Sequence, residues 1–474
     1  MLIAGERREA SSGRSFELMN PATGEVIASV PLGDADDLRA AVEVATEAAQ
    51  GWGETLARDR GKVLARAAAL IRERTNGLAE QLTREQGKPL REAVDEVRGA
   101  ANVFEYYAGL ASSFADTRIR LAGGIEAEVR YEPIGVAGTI IPWNMPALLF
   151  AWKVVPALLC GNALIVKPAS TAPLTPLALA ACVQEAGLPP GVLNVVTGPG
   201  ETVGEALVRN PAVRKISFTG SSATGKRVMA LAADHVAHVT LELGGSDPMI
   251  VCADADLESA VAGAVSGRYY NSGQVCTAVK RLFVQDTIAD EFVHRLTASV
   301  NRLRVGNGLE AGTTMGPLNT MAARDRIGDL VDRVRDRDEG KVALGGTMPG
   351  EPGFAAGAYY APTVVTDVVP ESPLMTEEIF GPVLPVARFA TLDEAIRRAN
   401  DSRFGLGASV WTRDPKTIRE ATHRLQAGIV WVNLHLKVPP EVPFGGVKES
   451  GLGRENGIQA LEAWSEEKTV LVRA

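Results

Sequence analysis

The 474-residue chain has only four cysteines and five histidines, and their placement excludes more than their number does. Cys160, Cys182, Cys252 and Cys276 form no CxxC pair, and His235, His238, His294, His423 and His435 form no HExxH, so no metal site is expected. Each histidine reads as a surface or core residue. A long apolar run is also missing: the longest, Ala147 to Val166, is interrupted by Lys153, Pro156 and Asn162. A membrane span needs about 20 predominantly apolar residues, so this stretch reads as buried helix and strand. The opening MLIAGERREA holds no apolar core of signal-peptide length, which predicts a cytoplasmic protein with reduced thiols. A formal net charge of -8 supplies no basic face for nucleic acid, although a cofactor phosphate needs only one or two cations. Internal repeats, low-complexity linkers and charge blocks are absent too.

What is present is a long chain of ordinary globular composition, too long for one hydrophobic core and expected to form two or three units. From Asp34 to about Ser113 apolar residues recur at helical spacing, and Asp34 is a plausible N-cap for the first of several amphipathic helices. Arg118 to Glu132 then alternates around Gly123-Gly124, which predicts a hairpin with the glycines at its tip. From Gly135 onward, β-rich segments (GVAGTIIP, NALIVKP, GVLNVVTG, KISFTG) alternate with helical ones such as PLALAACVQEAG and SSATGKRVMALAA. A second set follows Gly244, with PMIVCADA and RLFVQD, and continues toward GIVWVN. Such alternation predicts parallel strands joined by right-handed crossovers, the doubly wound α/β arrangement.

Four segments carry residues suited to chemistry. FTGSSATGK places Gly220, Ser221 and Gly225 at a strand-to-helix turn, where backbone N–H groups and a hydroxyl can hold a pyrophosphate. It is not GxGxxG, and by itself it reads more readily as ordinary helix capping. LELGGSDP sets Glu242 in apolar surroundings, which raise a carboxyl pKa and suit a general base; an ion-paired glutamate at a domain boundary is the plainer reading. NSGQVCTAVKR places Cys276 in a glycine-containing loop, where a thiolate would be the strongest nucleophile in the chain, although a lone cysteine is more often a small core residue. PWNMP holds Asn144 in a turn between two prolines, where its amide could donate to an oxyanion or simply close an Asx-turn.

Taken in order, and with KPAS (Lys167–Ser170), EEIFGPV (Glu377–Val383) and PFGGVKESGLGRE (Pro443–Glu455), these segments resemble the aldehyde dehydrogenase superfamily across essentially the whole chain. The resemblance implies a thiohemiacetal on Cys276, an oxyanion held by the Asn144 amide and the backbone N–H of Cys276, and a thioester hydrolysed by water that Glu242 activates. Lys153 and Glu455 match a pair assisting proton traffic, or forming a structural ion pair. NAD or NADP is the implied cofactor. Lys167 matches an adenosine-ribose position, and Glu378 matches the position on the nicotinamide ribose, with Phe380 beside the ring. Trp143 and Ser221 fall on the pyrophosphate side, and Ile140 and Leu243 join the cofactor positions. Ser170 departs from the many NAD-preferring members that carry a glutamate there. A carboxylate would repel a 2′-phosphate and serine can donate to it, so NADP acceptance is expected.

The fold implied is a cofactor-binding domain (1–114 and 134–243), a catalytic domain (244–449) and a β oligomerisation element (115–133 and 465–474) that pairs subunits of a homodimer or homotetramer. A substrate tunnel is implied along Met145, Leu149, Trp152, Val275, Thr277, Val438 and Phe444. Its apolar lining favours uncharged aliphatic or aromatic aldehydes. Succinate-semialdehyde enzymes carry an arginine where this chain has Trp152, so an ω-carboxylate lacks a partner there. Lactaldehyde and glyceraldehyde-phosphate branches share NSGQVC and LELGGSDPMIV, and Lys437 has no assigned phosphate site. A CoA-acylating relative would typically lack Glu242, and a silent structural relative would be expected to lose Cys276, Asn144 or Glu242.

Overall fold

The computed structural model describes residues 1–114 and 116–473. Ala115 and Ala474, at the edges of the expected oligomerisation segments, lie outside the described residues.

The expected helical region is four helices, Ala35–Glu54, Ala57–Glu73, Thr75–Gln86 and Leu90–Leu110. Asp34 caps the first, accepting from the N–H groups of Asp36 and Asp37, while Asp37 returns a bond to the Asp34 backbone. The hairpin forms between Thr117–Leu121 and Ile125–Pro133, a residue longer at each end than Arg118 to Glu132. Gly123 and Gly124 both have positive φ (76° and 71°), a conformation other L-residues adopt at a cost. Ser465–Arg473 pairs antiparallel with Ile125–Pro133 along its whole length and completes a three-stranded sheet. Ile119, Leu121, Leu471 and Val472 are exposed on these strands.

The α/β region forms two large sheets. Five parallel strands, in the order His238–Glu242, Val213–Thr219, Val136–Ile141, Ala163–Pro168 and Leu193–Val195, centre an eight-stranded sheet. Leu193–Val195 is shorter than the GVLNVVTG segment suggested. Antiparallel edges come from Gly451–Leu452 on one side and from Leu2–Ile3 and Glu6–Arg7 on the other. The second sheet has seven strands ordered Lys341–Leu344, Thr363–Thr366, Val383–Phe389, Val279–Gln285, Asp247–Val251, Gly407–Trp411 and Ile429–Val432. All its neighbours are parallel except the first pair. Strands Ala163–Pro168, Asp247–Val251 and Gly407–Trp411, inside the two sheets, are buried on both faces, which is why they read as continuous apolar runs rather than alternating ones. The chain passes from one sheet to the other between Glu242 and Asp247.

In the first sheet the chain runs from Val136–Ile141 outward to Leu193–Val195, then returns to the opposite side of Val136–Ile141 to lay down Val213–Thr219. The crevice beyond the carboxyl ends of those two adjacent strands is a topological switch point, where open α/β sheets bind ligands. Asn144 follows one strand and Gly220 the other. Among the described residues, no helix is long and apolar enough to cross a membrane, and no group of three His, Cys, Asp or Glu could hold a metal ion.

Candidate active site

Cys276 sits in the loop that enters strand Val279–Gln285, directly after a strained turn. Asn271, Ser272 and Gly273 are consecutive left-handed residues (φ 50°, 55° and 75°), a conformation that persists only where surrounding bonds over-determine it. They do so here. Asn271 N–H donates to Glu92 Oε2 at 2.7 Å, and its Nδ2 donates to the carbonyls of Asn144 (2.9 Å) and Gln274 (3.2 Å). Ser272 Oγ donates to Gly316 O at 2.8 Å, and Gln274 Oε1 accepts from Asn319 N–H at 2.8 Å. The loop is thus clamped on both sides before it reaches Cys276.

Asn144 lies between strand Val136–Ile141 and helix Pro146–Leu159. Its Nδ2 donates to Gln274 O at 3.0 Å, which turns the amide toward the cysteine loop and leaves its second hydrogen for another acceptor. Its carbonyl accepts from buried Lys88 Nζ at 2.8 Å as well as from Asn271. Lys88 is in turn ion-paired with Glu96, which accepts from the N–H groups of Ala147 (2.8 Å) and Leu148 (3.2 Å) at the start of that helix.

Glu242 ends strand His238–Glu242 and is buried with no hydrogen-bond partner on either carboxyl oxygen. Burial pushes its pKa well above the carboxylate range; the nearby charge of Glu455 adds to this, and Lys153 and Arg454 oppose it. Gly445 makes room for the side chain, since a Cβ there would stand 2.7 Å from Glu242 Oε1. Lys153 and Glu455 are ion-paired and buried, and Ser217 bridges them, accepting from Lys153 Nζ at 2.9 Å and donating to Glu455 Oε1 at 2.8 Å.

Cys276, Asn144 and Glu242 open into one cavity of about 1220 Å³. All seven residues expected along a tunnel line it, namely Met145, Leu149, Trp152, Val275, Thr277, Val438 and Phe444. Trp152 and Phe444 pack with ring centroids 5.1 Å apart. The outer wall carries Asp95, Glu105, Glu441 and Lys437, all exposed. Glu105 is paired with Arg72, whereas no ion pair involves Asp95, Glu441 or Lys437 among the described residues.

The cofactor positions gather at the switch point. Gly220 and Ser221 precede helix Ser222–Ala232, and Ser221 caps it by accepting from Thr224 N–H at 3.3 Å. A Cβ on Gly225 would collide with Leu243, so the helix packs directly on that residue. Lys167 is buried and no hydrogen bond of its ammonium is found among the described residues; burial lowers its pKa to about 8. A buried ammonium without a partner is costly, so this position suits a ligand that accepts from it. Gly204 approaches both Ile140 and Lys167, placing them side by side. Ser170 Oγ donates to Gly198 O at 3.2 Å, so its hydroxyl is engaged with backbone. From the other sheet come Glu378, whose Oε1 accepts from Gly245 N–H at 3.1 Å, and Phe380, whose ring lies edge-on to Trp143 at 5.6 Å. The donor set fits a dinucleotide: helix N-terminus, free cation, carboxylate for ribose hydroxyls, and an aromatic floor.

Three neighbours of the cysteine are given no part at the site by the sequence, where His435 reads as a surface or core residue. Lys280 donates to the carbonyls of Val275 (3.0 Å) and Cys276. Asp247 is buried with both oxygens unpartnered, and burial raises its pKa to about 7. His435 lines the cavity, with ring nitrogens 2.8 Å from Thr277 O and 3.0 Å from Ser409 Oγ; burial lowers its pKa to about 4, so the ring is neutral. The first two stand close to the motif residues, so their position was visible, but their partners were not.

Two doubly wound sheets facing each other across a crevice that fits a dinucleotide are the architecture of a nicotinamide-dependent dehydrogenase. The aldehyde dehydrogenase family model matches residues 8–470, and the chain belongs to that family. It is similar over its whole length to an NADP-dependent enzyme of E. coli, at 38% identity and a TM-score of 0.97, covering 98% of that chain. PnpE from Pseudomonas sp. WBC-3, solved with nicotinamide adenine dinucleotide, is 36% identical with a TM-score of 0.98 and 97% of its chain covered. Betaine aldehyde dehydrogenase of Staphylococcus aureus, in complex with NAD+, is 36% identical with a TM-score of 0.97 and 94% covered. Both comparisons cover 100% of the present chain. The protein is an NAD(P)-dependent aldehyde dehydrogenase.

Proposed function

We propose that the enzyme oxidises an uncharged aliphatic or aromatic aldehyde to its carboxylic acid, with Cys276 as nucleophile. The observation that carries this reading is the single cavity in which Cys276, Asn144 and Glu242 converge behind an apolar lining. Cys276 Sγ adds to the carbonyl carbon, and the oxyanion of the thiohemiacetal is held by the free hydrogen of Asn144 Nδ2 and the N–H of Cys276. Bound NAD(P) supplies the hydride acceptor. Collapse of the tetrahedral centre leaves a thioester on Cys276. Glu242 takes a proton from water, which attacks the thioester and releases acid and thiol. The Lys153–Glu455 pair lies behind Glu242 and passes that proton onward. Water, aldehyde and NAD(P)+ thus give acid, reduced cofactor and a proton.

For the cofactor we assign Lys167 to the adenosine ribose, Glu378 to the nicotinamide ribose, Phe380 to the ring side, and Trp143, Gly220, Ser221 and Gly225 to the pyrophosphate, with Ile140 and Leu243 packing alongside. Ser170 supports acceptance of NADP, because no carboxylate stands there to repel a 2′-phosphate; its hydroxyl would turn from Gly198 to donate. Relatives described with NADP and with NAD are both similar to this chain. Residues 1–114 and 134–243 form the cofactor domain and 244–449 the catalytic one. Residues 115–133 and 465–474 pair subunits of a dimer or tetramer, which supports an origin for the exposed apolar side chains there.

The cavity rim supports an uncharged substrate over an anionic one, since unpaired Asp95 and Glu441 outweigh Lys437. The same carboxylates favour a second reading, a cationic aldehyde of the kind named for the Staphylococcus aureus relative. The test is reduced-cofactor formation across apolar, quaternary-ammonium, carboxylated and phosphorylated aldehydes, with NAD and NADP in parallel and Cys276→Ser as control. Best turnover of apolar aldehydes is expected. Preference for a carboxylated or phosphorylated aldehyde overturns the substrate reading, and full activity in Cys276→Ser overturns the mechanism.

A further inference from the structure

Lys280 has no place in the chemistry above, yet it is one of the largest fully buried side chains in the protein. It lies at the start of strand Val279–Gln285, four residues after Cys276. Its ammonium donates to the carbonyls of Val275 and of Cys276 itself, stands 3.6 Å from Glu378 Oε1, and lies 5.8 Å from the centre of the Phe380 ring. One buried cation therefore touches the backbone on both sides of the nucleophile's amide and the carboxylate assigned to the nicotinamide ribose. Burying an ammonium costs several kcal/mol, and two carbonyls with one carboxylate offset that cost only in this arrangement.

The charged groups facing the thiol come from three directions. Glu242 arrives on strand His238–Glu242, Asp247 at the start of its own strand, and Glu378 from the loop before Val383–Phe389; Lys280 is the cation that opposes them. Lys280 itself faces Glu378, Asp247, Arg268 and Cys276. Burial raises the Cys276 pKa, the three carboxyl groups around the thiol add to that, and Lys280 is the largest influence opposing them.

We propose that Lys280 is a positioning residue that fixes the backbone of the nucleophile loop and supplies the positive charge that makes the Cys276 thiolate accessible. This rests on the role given to Cys276 above. It places the activation of the nucleophile in the loop's own sequence rather than in a histidine partner, and His435, neutral and bonded to Thr277 O, does not compete for that part.

The test is the pH dependence of Cys276 alkylation by iodoacetamide in the cofactor-free enzyme, mapped by peptide mass spectrometry. The other three cysteines are buried, which keeps the readout on Cys276. Lys280→Met and Lys280→Gln should move the alkylation midpoint up by about one pH unit or more, slowing alkylation about tenfold at any pH below it. Lys280→Arg should restore the midpoint, and kcat should fall in the neutral variants with little change in the aldehyde KM. If Lys280→Met does not fold, the Gln and Arg variants carry the same comparison, since the shorter Gln keeps N–H donors while removing the charge. A lowered melting temperature with an unmoved midpoint in the neutral variants would mean a structural brace and overturn the proposal. Undiminished turnover in Cys276→Ser instead condemns the underlying reading, so the two failures are separable.

Discussion

Glu96 and Glu242 face the same cavity and are buried alike, at 2% and 3% exposure, yet the protein treats them in opposite ways. Glu96 is ion-paired with Lys88 and accepts two N–H groups from the first turn of helix Pro146–Leu159, so its charge is matched on every side. Glu242 has no hydrogen-bond partner on either oxygen. A buried carboxyl normally finds partners because leaving it bare costs free energy. Glu96 follows that rule and braces the Asn144 turn. Glu242 departs from it among the described residues, which leaves its carboxyl open for the water-activating part proposed for it.

Neutralising each in turn should separate these roles most sharply at Glu242. Glu242→Gln keeps the shape and removes the base, so steady-state turnover should fall by about 10²–10⁴-fold, the range general-base loss commonly gives. Thioester formation does not need Glu242, so stopped-flow should still show a burst of reduced cofactor equal to the Cys276 content. A lost burst with intact Cys276 would place Glu242 before the thioester instead. The same variant should not be less stable. Its folded pKa lies above the unfolded value of 4.5, so ionisation of Glu242 weakens the wild type as pH rises past 4.5. The melting-temperature difference in favour of Gln should therefore open between pH 4.5 and neutrality and close at lower pH.

Glu96→Gln should do the reverse. It strands the Lys88 ammonium in a dry site, and breaking a buried pair on one side costs about 3–5 kcal/mol. Denaturant unfolding should show that loss, while kcat drops less than in Glu242→Gln because Asn271 still holds the Asn144 carbonyl. A Glu96 variant as stable as the wild type would erase the distinction between the two carboxyls.

The contrast was half legible in the sequence. The parallel strands were readable because burial on both faces leaves near-continuous apolar runs, and Asp34 and Gly123-Gly124 were readable because caps and turns are local. The segments that meet at the cavity were legible as motifs, but the part of a base came to Glu242 from the family resemblance, since LELGGSDP by itself reads more plainly as an ion-paired glutamate. What made Glu242 bare and Glu96 matched was not readable. Lys153 meets Glu455 across 302 residues, and Glu96 meets Ala147 across 51. Such partnerships depend on which sheet ends face each other. The N-terminal strands Leu2–Ile3 and Glu6–Arg7 escaped for a related reason: two-residue edge strands carry no periodicity, and only the sheet they extend defines them. Lys280 is the nearest miss, inside the cysteine motif, yet its meaning comes from Glu378 in a distant loop.

The smallest effect tests whether an unoccupied charge position can matter as much as an occupied one. Ser170 stands half-buried near the buried, unpartnered Lys167, with its hydroxyl on Gly198 O. Ser170→Glu would introduce a carboxylate where a 2′-phosphate is expected, and like charges at a partly exposed site differ by about 1–2 kcal/mol. KM for NADP should then rise roughly tenfold while KM for NAD stays near its starting value or falls, since a carboxylate accepts from a ribose hydroxyl. Raising ionic strength should shrink the NADP penalty, because screening acts on the repulsion and not on the hydrogen bond. Equal changes for both cofactors would show that residue 170 disturbs the crevice without reading the phosphate.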